Sequence, residues 1–142
     1  ASNPAQILRE MARVTRLGGA VLALAEPDYG GRIDFPAELA TLGRWQAEAL
    51  QAQGADPQMG RKLAGLFASA GIKDVETGVM GGEWRMPLHA EERAMEWAVL
   101  ESDLTGHFPE SDIQKLKELD ITSTQSGARI LFVPTFYAWG HV

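Results

Sequence analysis

Cysteine is absent from this 142-residue chain, which excludes a disulfide framework, a thiolate metal site and a cysteine nucleophile. Cationic side chains are in the minority, because 13 lysines and arginines face 19 aspartates and glutamates, for a net charge of -6. That balance argues against a nucleic-acid-binding surface and a basic membrane patch. No apolar run approaches the ~20 residues that span a bilayer, and the polar N-terminal segment is unlike a signal peptide. We therefore expect a cytoplasmic globular protein that binds neither nucleic acid nor membrane.

A short apolar run at 20–25 follows a helical pattern and the glycine pair Gly18-Gly19. Asn3-Pro4 is a capping residue followed by proline, which predicts a helix over 4–17. Gly18 is the expected left-handed terminator of that helix. The run itself has no polar break, so we predict a strand covered on both faces, as in a parallel sheet between helices.

Periodicity and turn residues predict the remaining elements. These are a loop over 30–36, helices that open at Pro36 and Pro57 and end at Gly54 and Gly71, a strand over 72–80 with 83–86 as its continuation past a glycine break, helices over 87–104 and 109–120, and a last strand over 129–133. This order favours a helix-covered sheet, and we expect an α/β fold with one domain over 1–142.

The N-terminal third resembles a known family. The helix with residues 8–14 (LREMARV), the Gly18-Gly19 turn and the strand ending in Glu26-Pro27 resemble class I S-adenosylmethionine-dependent methyltransferases, in particular the UbiE/type 11 small-molecule branch. In that family these are the helix before the fifth strand, its turn and the fifth strand, although a proline usually stands where this chain has Leu17. Residues 60–72 resemble the helix before the sixth strand, and 129–133 is similar to the closing antiparallel strand. The resemblance implies the C-terminal part of a Rossmann-like methyltransferase fold, a mixed sheet with a final antiparallel strand and helices packed on it.

The family's cofactor site has no counterpart in this sequence. Its glycine-rich turn after the first strand and its ribose-binding acidic residue are both missing, and Gly18-Gly19 precedes its strand instead of following it. The glycine pairs at 30–31 and 81–82 are typical of ordinary turns. The resemblance thus implies S-adenosylmethionine as the cofactor of an intact parent protein. We expect no cofactor bound to this chain and no activity of it alone.

Candidate substrate-binding residues lie where the first strand ends. In open α/β sheets ligands bind beyond the carboxyl ends of the strands, so Glu26, Asp28 and Tyr29 could face a small-molecule acceptor. A carboxylate there could accept a hydrogen bond or act as a general base. Alternatively, Pro27-Asp28 is turn chemistry and Glu26 caps a helix.

Arginines and aromatic residues complete the predicted site. Arg32 and Arg61 could bind an acidic substrate group or be solvated surface residues, and Trp84, Phe136 and Tyr137 could wall an apolar pocket or belong to the core. The predicted substrate-binding set is therefore Glu26, Asp28, Tyr29, Arg32, Arg61, Trp84, Phe136 and Tyr137. The histidines show no ligand spacing, so no metal is expected, and no residue is assigned a catalytic role.

Two functions follow from these patterns. The first is the acceptor-binding half of a small-molecule methyltransferase. The second is a non-catalytic binding or dimerisation module, because the strand at 20–25 lacks the strand that would precede it, and an uncovered apolar edge invites pairing with another chain. We therefore expect a homodimer or a separate N-terminal half as partner, bound through that edge or through the helix over 4–17.

Overall fold

The computed structural model describes residues 3–81 and 90–142 of the chain. The α-helices are α1 (Pro4–Val14), α2 (Ala40–Ala52), α3 (Leu63–Ser69), α4 (Ala90–Leu104) and α5 (Glu110–Gln125). The strands are β1 (Ala20–Pro27), β2 (Ile33–Phe35), β3 (Lys73–Met80), β4 (Ile130–Phe132) and β5 (Thr135–His141). The predicted α/β class is confirmed. The chain divides into two compact units, unit 1 with 3–30, 57–81 and 134–142, and unit 2 with 31–56 and 90–133.

Unit 1 is built on a three-stranded sheet in the order β1-β5-β3. Strand β5 is antiparallel to both neighbours, so β1 and β3 run parallel to each other and their carboxyl ends lie at the same edge. The core of this unit joins one face of the sheet to helices α1 and α3. It consists of Leu8, Val21, Leu63, Phe67, Ile72 and Ala138.

Strand β1 is confirmed, but the prediction that it is covered on both faces is wrong. Val21 is 2% exposed, whereas its neighbour Leu22 is 50% exposed and Leu24 is 61% exposed. Successive side chains of a strand point to opposite faces, and the core lies on the Val21 face only. Among the described strands β1 pairs with β5 alone, so it is an edge strand of its sheet.

Unit 2 packs three helices with a two-stranded antiparallel sheet of β2 and β4. Its core consists of Leu39, Leu42, Trp97, Leu104 and Ile113. Trp45 and Phe108 add a stacked ring pair, with centroids 4.5 Å apart.

Helix α1 ends earlier than predicted. It stops at Val14, before Leu17, where Thr15 adopts an extended conformation and its hydroxyl donates to the Met11 carbonyl. Gly18, the predicted terminator, does have a left-handed φ of 74°. The glycine therefore shapes the turn into β1, and the helix ends before it.

The predicted loop over 30–36 contains strand β2. A strand does lie at the predicted 129–133, as β4 (Ile130–Phe132), but the prediction that it is the last strand is wrong, because β5 follows it. Pro134 lies between β4 and β5 and belongs to neither strand. A proline donates no backbone hydrogen bond to a ladder, so this position suits the junction between the two strands.

The helices predicted to open at Pro36 and Pro57 begin later, after short 3-10 helices at Ala37–Leu39 and Gly60–Lys62. Helix α5 continues past the predicted end at 120, to Gln125. The predicted continuation of the strand through 83–86 and the first turn of the helix predicted over 87–104 lie outside the described residues.

Candidate functional site at the carboxyl end of strand β1

The Asp28 side chain lies at the carboxyl end of β1 and is held there by backbone hydrogen bonds. The Asp28 N–H donates to the Pro134 carbonyl at 2.8 Å, and the Tyr29 N–H donates to the Pro57 carbonyl at 2.8 Å. Asp28 is 1% exposed. Both carbonyls belong to prolines of unit 1, so the segment after β1 is anchored to two other parts of the same unit.

Arg61 forms a two-pronged ion pair with this buried carboxylate. Its Nη2 donates to Asp28 Oδ1 at 2.8 Å, and its Nε donates to Oδ2. The backbone N–H groups of Gly30 and Arg61 also hydrogen-bond to the carboxylate. The Arg61 hydrogen bond, more than any other contact, lowers the pKa of Asp28 below its ordinary value. The same bond raises the pKa of Arg61.

These contacts make Asp28 a weak candidate for a general base. A carboxylate that accepts several charge-assisted and backbone hydrogen bonds holds its ionised form strongly and binds a proton poorly. The Arg61 side chain, by contrast, is 48% exposed. The polar surface that this pair presents to solvent therefore belongs to the arginine.

Gly30 allows side chains to approach closely around this pair. A Cβ atom at Gly30 would lie 2.5 Å from Gln58 Nε2 and 2.7 Å from Arg61 Nη2. The glycine thus leaves the space that Arg61 needs in order to reach Asp28. Asp28, Gly30 and Arg61 form one local arrangement, which we call the Asp28–Arg61 site.

The predicted aromatic wall is not assembled on one face of the sheet. The Phe136 ring packs against Gly60, where a Cβ would lie 2.6 Å from Cδ2, and it contacts the unit 1 core. The Tyr137 ring lies over Gly78 of strand β3, where a Cβ would lie 2.6 Å from its hydroxyl oxygen. Adjacent residues of a strand point to opposite faces, so these two rings are separated by the sheet. Trp84 lies outside the described residues.

The two remaining predicted residues of the β1 end differ in their surroundings. Glu26 is half-buried on β1 and lies opposite Phe136 in the strand register. Tyr29 is half-buried directly after Asp28. Their predicted role in substrate binding stays a prediction.

Arg32 belongs to unit 2, where its side chain is 5% exposed. Its Nε donates to Asp34 Oδ2 at 2.7 Å and its Nη1 to Gln46 Oε1 at 3.1 Å. The expectation of a solvated surface arginine is therefore wrong. Substrate binding by Arg32 stays a prediction, and the contacts give it a structural role within unit 2.

Arg32 is one member of a larger group of buried charges that the sequence analysis did not predict. Arg129 donates from Nη2 to Asp34 at 2.7 Å and from Nε to Asp120 at 2.6 Å. Asp120 also accepts from Trp97 Nε1 at 2.8 Å and pairs with Arg93. The buried ion cluster, as we name it, consists of Arg32, Asp34, Arg93, Asp120 and Arg129.

One sequence signal for this cluster did exist. Ile113, Asp120 and Ser123 share the buried face of helix α5, so an aspartate occupies a position of the helix that faces the core. A buried carboxylate needs a cation or several donors. The pattern thus indicates a buried partner, but it does not identify Arg129 or Arg93.

A groove of about 420 Å³ runs along helices α4 and α5 of unit 2. Most of its lining surface is apolar, with Ala94, Ala98 and Ile121, and Lys117 is among the lining residues. Lys117 donates to Glu101 at 2.6 Å, so a carboxylate of the groove itself already balances this cation. The groove therefore selects no particular ligand charge.

Neither a metal site nor a membrane-spanning helix occurs in the described part of the chain. Within residues 3–81 and 90–142, no group of three or more His, Asp or Glu side chains could hold a metal ion. No helix of the described ranges is long and apolar enough to cross a membrane.

No protein-family model matches the sequence, and a search of curated proteins finds no significant match. The class of protein is therefore inferred from the residues and the fold.

Proposed function

We propose that this chain is the acceptor-binding part of an S-adenosylmethionine-dependent methyltransferase that acts on a small molecule. The intact protein would combine it with a second part that holds the methyl donor. The chain by itself would not transfer methyl groups. The proposal starts from the resemblance of residues 8–27 and 60–72 to the UbiE/type 11 branch of the class I enzymes.

The strand arrangement of unit 1 is the observation that carries this proposal. Strands β1 and β3 each follow a helix, run parallel to each other, and enclose the C-terminal strand β5, which is antiparallel to both. The resemblance requires a closing antiparallel strand at the C-terminal end of the fold. Strand β5 fits that description, although it lies at Thr135–His141 and not at 129–133. A parallel strand added on the side of β1 that pairs with no described strand would give the mixed Rossmann-like sheet that the family has.

The Asp28–Arg61 site supports an acceptor-binding role. It lies where β1 and β3 present their carboxyl ends, the edge at which open α/β sheets bind ligands. Methyl transfer depends mainly on aligning the acceptor with the methyl carbon. A rigid ion pair that orients an exposed arginine suits that task better than it suits proton abstraction.

Gly30 does not offer the open space of the family's cofactor-binding turn. In the family the cofactor lies against a glycine-rich turn that leaves open space after a strand. At Gly30, which follows β1, that space is filled by the chain's own Gln58 and Arg61 side chains. We therefore assign the methyl donor to residues outside this chain and derive no catalytic step through it.

Two measurements test the proposal. Isothermal titration of this chain with S-adenosylmethionine is expected to give no binding, and micromolar affinity would contradict it. The coding sequence immediately upstream should encode a strand, a glycine-rich turn and a helix. The joined protein should then release S-adenosylhomocysteine in the presence of small-molecule acceptors, and failure across a broad acceptor panel would count against a methyltransferase.

A second candidate function is association with another polypeptide through β1. This strand is at the sheet edge, and Leu22 and Leu24 expose apolar side chains beside it. An exposed apolar edge strand favours pairing with a further strand. We propose a homodimer as the form of the isolated chain, with β1 of two copies pairing about a two-fold axis.

Charged substitutions test this association. Leu24→Lys is expected to convert the dimer to a monomer in size-exclusion chromatography with light scattering, because a lysine at an edge strand opposes pairing. Ile121→Lys is the matched control, since Ile121 is 42% exposed but lies on α5 of unit 2. A wild-type chain that is monomeric at high micromolar concentration would overturn the dimer.

A further inference from the structure

Asp28 holds the Arg61 guanidinium along one edge, and 48% of the Arg61 side chain is exposed. A guanidinium has five N–H donors in a planar fork. The Nε donor and one Nη2 donor are engaged by Asp28. The remaining donors, on Nη1 and Nη2, form a second edge, and nearly half of the side chain is in contact with solvent.

Asp28 fixes the orientation of that second edge. Its carboxylate is buried and is also bonded by the backbone N–H groups of Gly30 and Arg61, so it cannot follow Arg61 into solvent. The negative end of the pair therefore faces the protein and the positive end faces outward. A surface arginine normally loses rotamer freedom when it binds a ligand, but Arg61 has already lost it.

We propose that the outer edge of Arg61 binds a carboxylate of the methyl acceptor, which makes the acceptor a small carboxylic acid; this rests on the proposed function. Asp28 is the positioning residue of this site. A planar carboxylate matches the guanidinium edge with two parallel hydrogen bonds. A single arginine, partly neutralised by Asp28, favours this monoanion over a dianionic phosphate group.

The experiment measures anion binding by the isolated chain, without methyl donor. Sodium benzoate, sodium acetate and inorganic phosphate are titrated at constant ionic strength, and the arginine Nε–Hε resonances of the ¹⁵N-labelled chain are followed by NMR. The Arg61 resonance is expected to shift saturably with both carboxylates and less with phosphate. Arg13 serves as the internal control, since it is an exposed arginine paired with Glu10 at 2.8 Å.

Substitutions separate a bidentate site from a point charge. In Arg61→Lys, carboxylate binding is followed through backbone amide shifts around Gly30, and affinity should fall roughly tenfold, the effect of losing one charge-assisted hydrogen bond. In Asp28→Asn the backbone spectrum reports retained folding, and weaker benzoate binding would show that Asp28 positions Arg61. Arg13→Gln should leave the titration unchanged.

The outcomes are distinct. An Arg61 shift no larger than that of Arg13, or equal benzoate affinity in wild type and Arg61→Lys, would overturn the bidentate site. Tighter binding of phosphate than of benzoate would overturn the choice of a carboxylate. Because no cofactor enters these titrations, saturable carboxylate binding by a protein that never releases S-adenosylhomocysteine would refute the methyltransferase and leave the anion site in place.

Discussion

Replacing Asp120 by asparagine removes a charge from unit 2 while keeping the volume of the side chain. Asp120 is 1% exposed and lies between two arginines, with Oδ1 accepting from Arg129 at 2.6 Å and Arg93 paired on the other oxygen. The change creates no cavity, so its cost is electrostatic. The amide nitrogen would also face a donor, either Arg129 Nε or Trp97 Nε1.

The number of charges in the buried ion cluster determines how much unfolding free energy Asp120→Asn should remove. Three arginines and two aspartates form the cluster, and the half-exposed Glu96 also pairs with Arg93, so Asp120→Asn leaves three cations with one buried carboxylate and one half-exposed carboxylate. Burial and the nearby Arg129 and Arg32 already lower the pKa of Arg93, with burial the larger cause. Removing one partner of a buried ion pair costs about 3–5 kcal/mol. We expect a loss in that range, a large part of a typical stability of about 5–15 kcal/mol.

Urea unfolding followed by far-UV circular dichroism and tryptophan fluorescence measures this loss. Asp112→Asn is the matched control on the same helix, because Asp112 is 45% exposed and pairs with the exposed Lys115 at 3.0 Å. Exposed pairs contribute about 0–1 kcal/mol. If Asp120→Asn cost no more than Asp112→Asn, the buried ion cluster would not be a determinant of stability.

Removing a cation from the buried ion cluster should cost less stability than removing an anion. Arg129→Met removes one of the three cations and leaves two arginines with two aspartates, so no buried charge is left uncompensated. We therefore expect Arg129→Met to cost less than Asp120→Asn, although Arg129 also donates to the Phe35 carbonyl at 3.3 Å. The reverse order would refute the charge-count argument.

Three further predictions concern unit 1. Phe67→Ala should cost about 3–5 kcal/mol in chemical unfolding, because Phe67 is fully buried in the core; a loss below that of Leu22→Ala, an exposed site, would contradict this. Ala25 has a φ of 61° at the register shift of β1, so Ala25→Gly should raise the melting temperature by relieving strain of about 1 kcal/mol; a fall would refute it. The pKa of Asp28 is lowered by Arg61, so its contribution is present above the unfolded pKa near 3.9 and is lost as pH falls through the lower folded value. The stability gap between wild type and Asp28→Asn should therefore be constant from about pH 5 to pH 7 and shrink below about pH 4, and a gap that widens on acidification would contradict the sign.

Local signals predict the elements whose ends depend on their own residues. The Asn3 side chain accepts from the Gln6 N–H at the start of α1, and Gly18 takes the left-handed φ that few other residues adopt. The predicted start of strand β3 lies within one residue of the observed start, Lys73. Caps, glycines and periodicity act over a few residues, so a reading of the chain is enough to detect them.

The wrong predictions concern strand features that depend on contacts between distant parts of the chain. Strand β1 has the apolar run of a fully buried strand, yet Leu24 is exposed because the core of unit 1 covers only the Val21 face of the sheet. The aromatic residues of the C-terminal segment are close in sequence, although β5 alternates them between two faces. Neither the neighbours of a strand nor its covered face can be read from that strand alone.

The candidate site likewise has features that the sequence predicts and features that only the folded chain determines. The position of Asp28 at the end of a strand and the turn glycine at 30 follow from the sequence, because both are properties of a few consecutive residues. The pairing of Asp28 with Arg61, 33 residues away, and of Arg129 with Asp34, 95 residues away, is established only by the folded chain. A buried charge requires a countercharge, but many arginines satisfy that requirement, and only the packed backbone selects which one comes within reach.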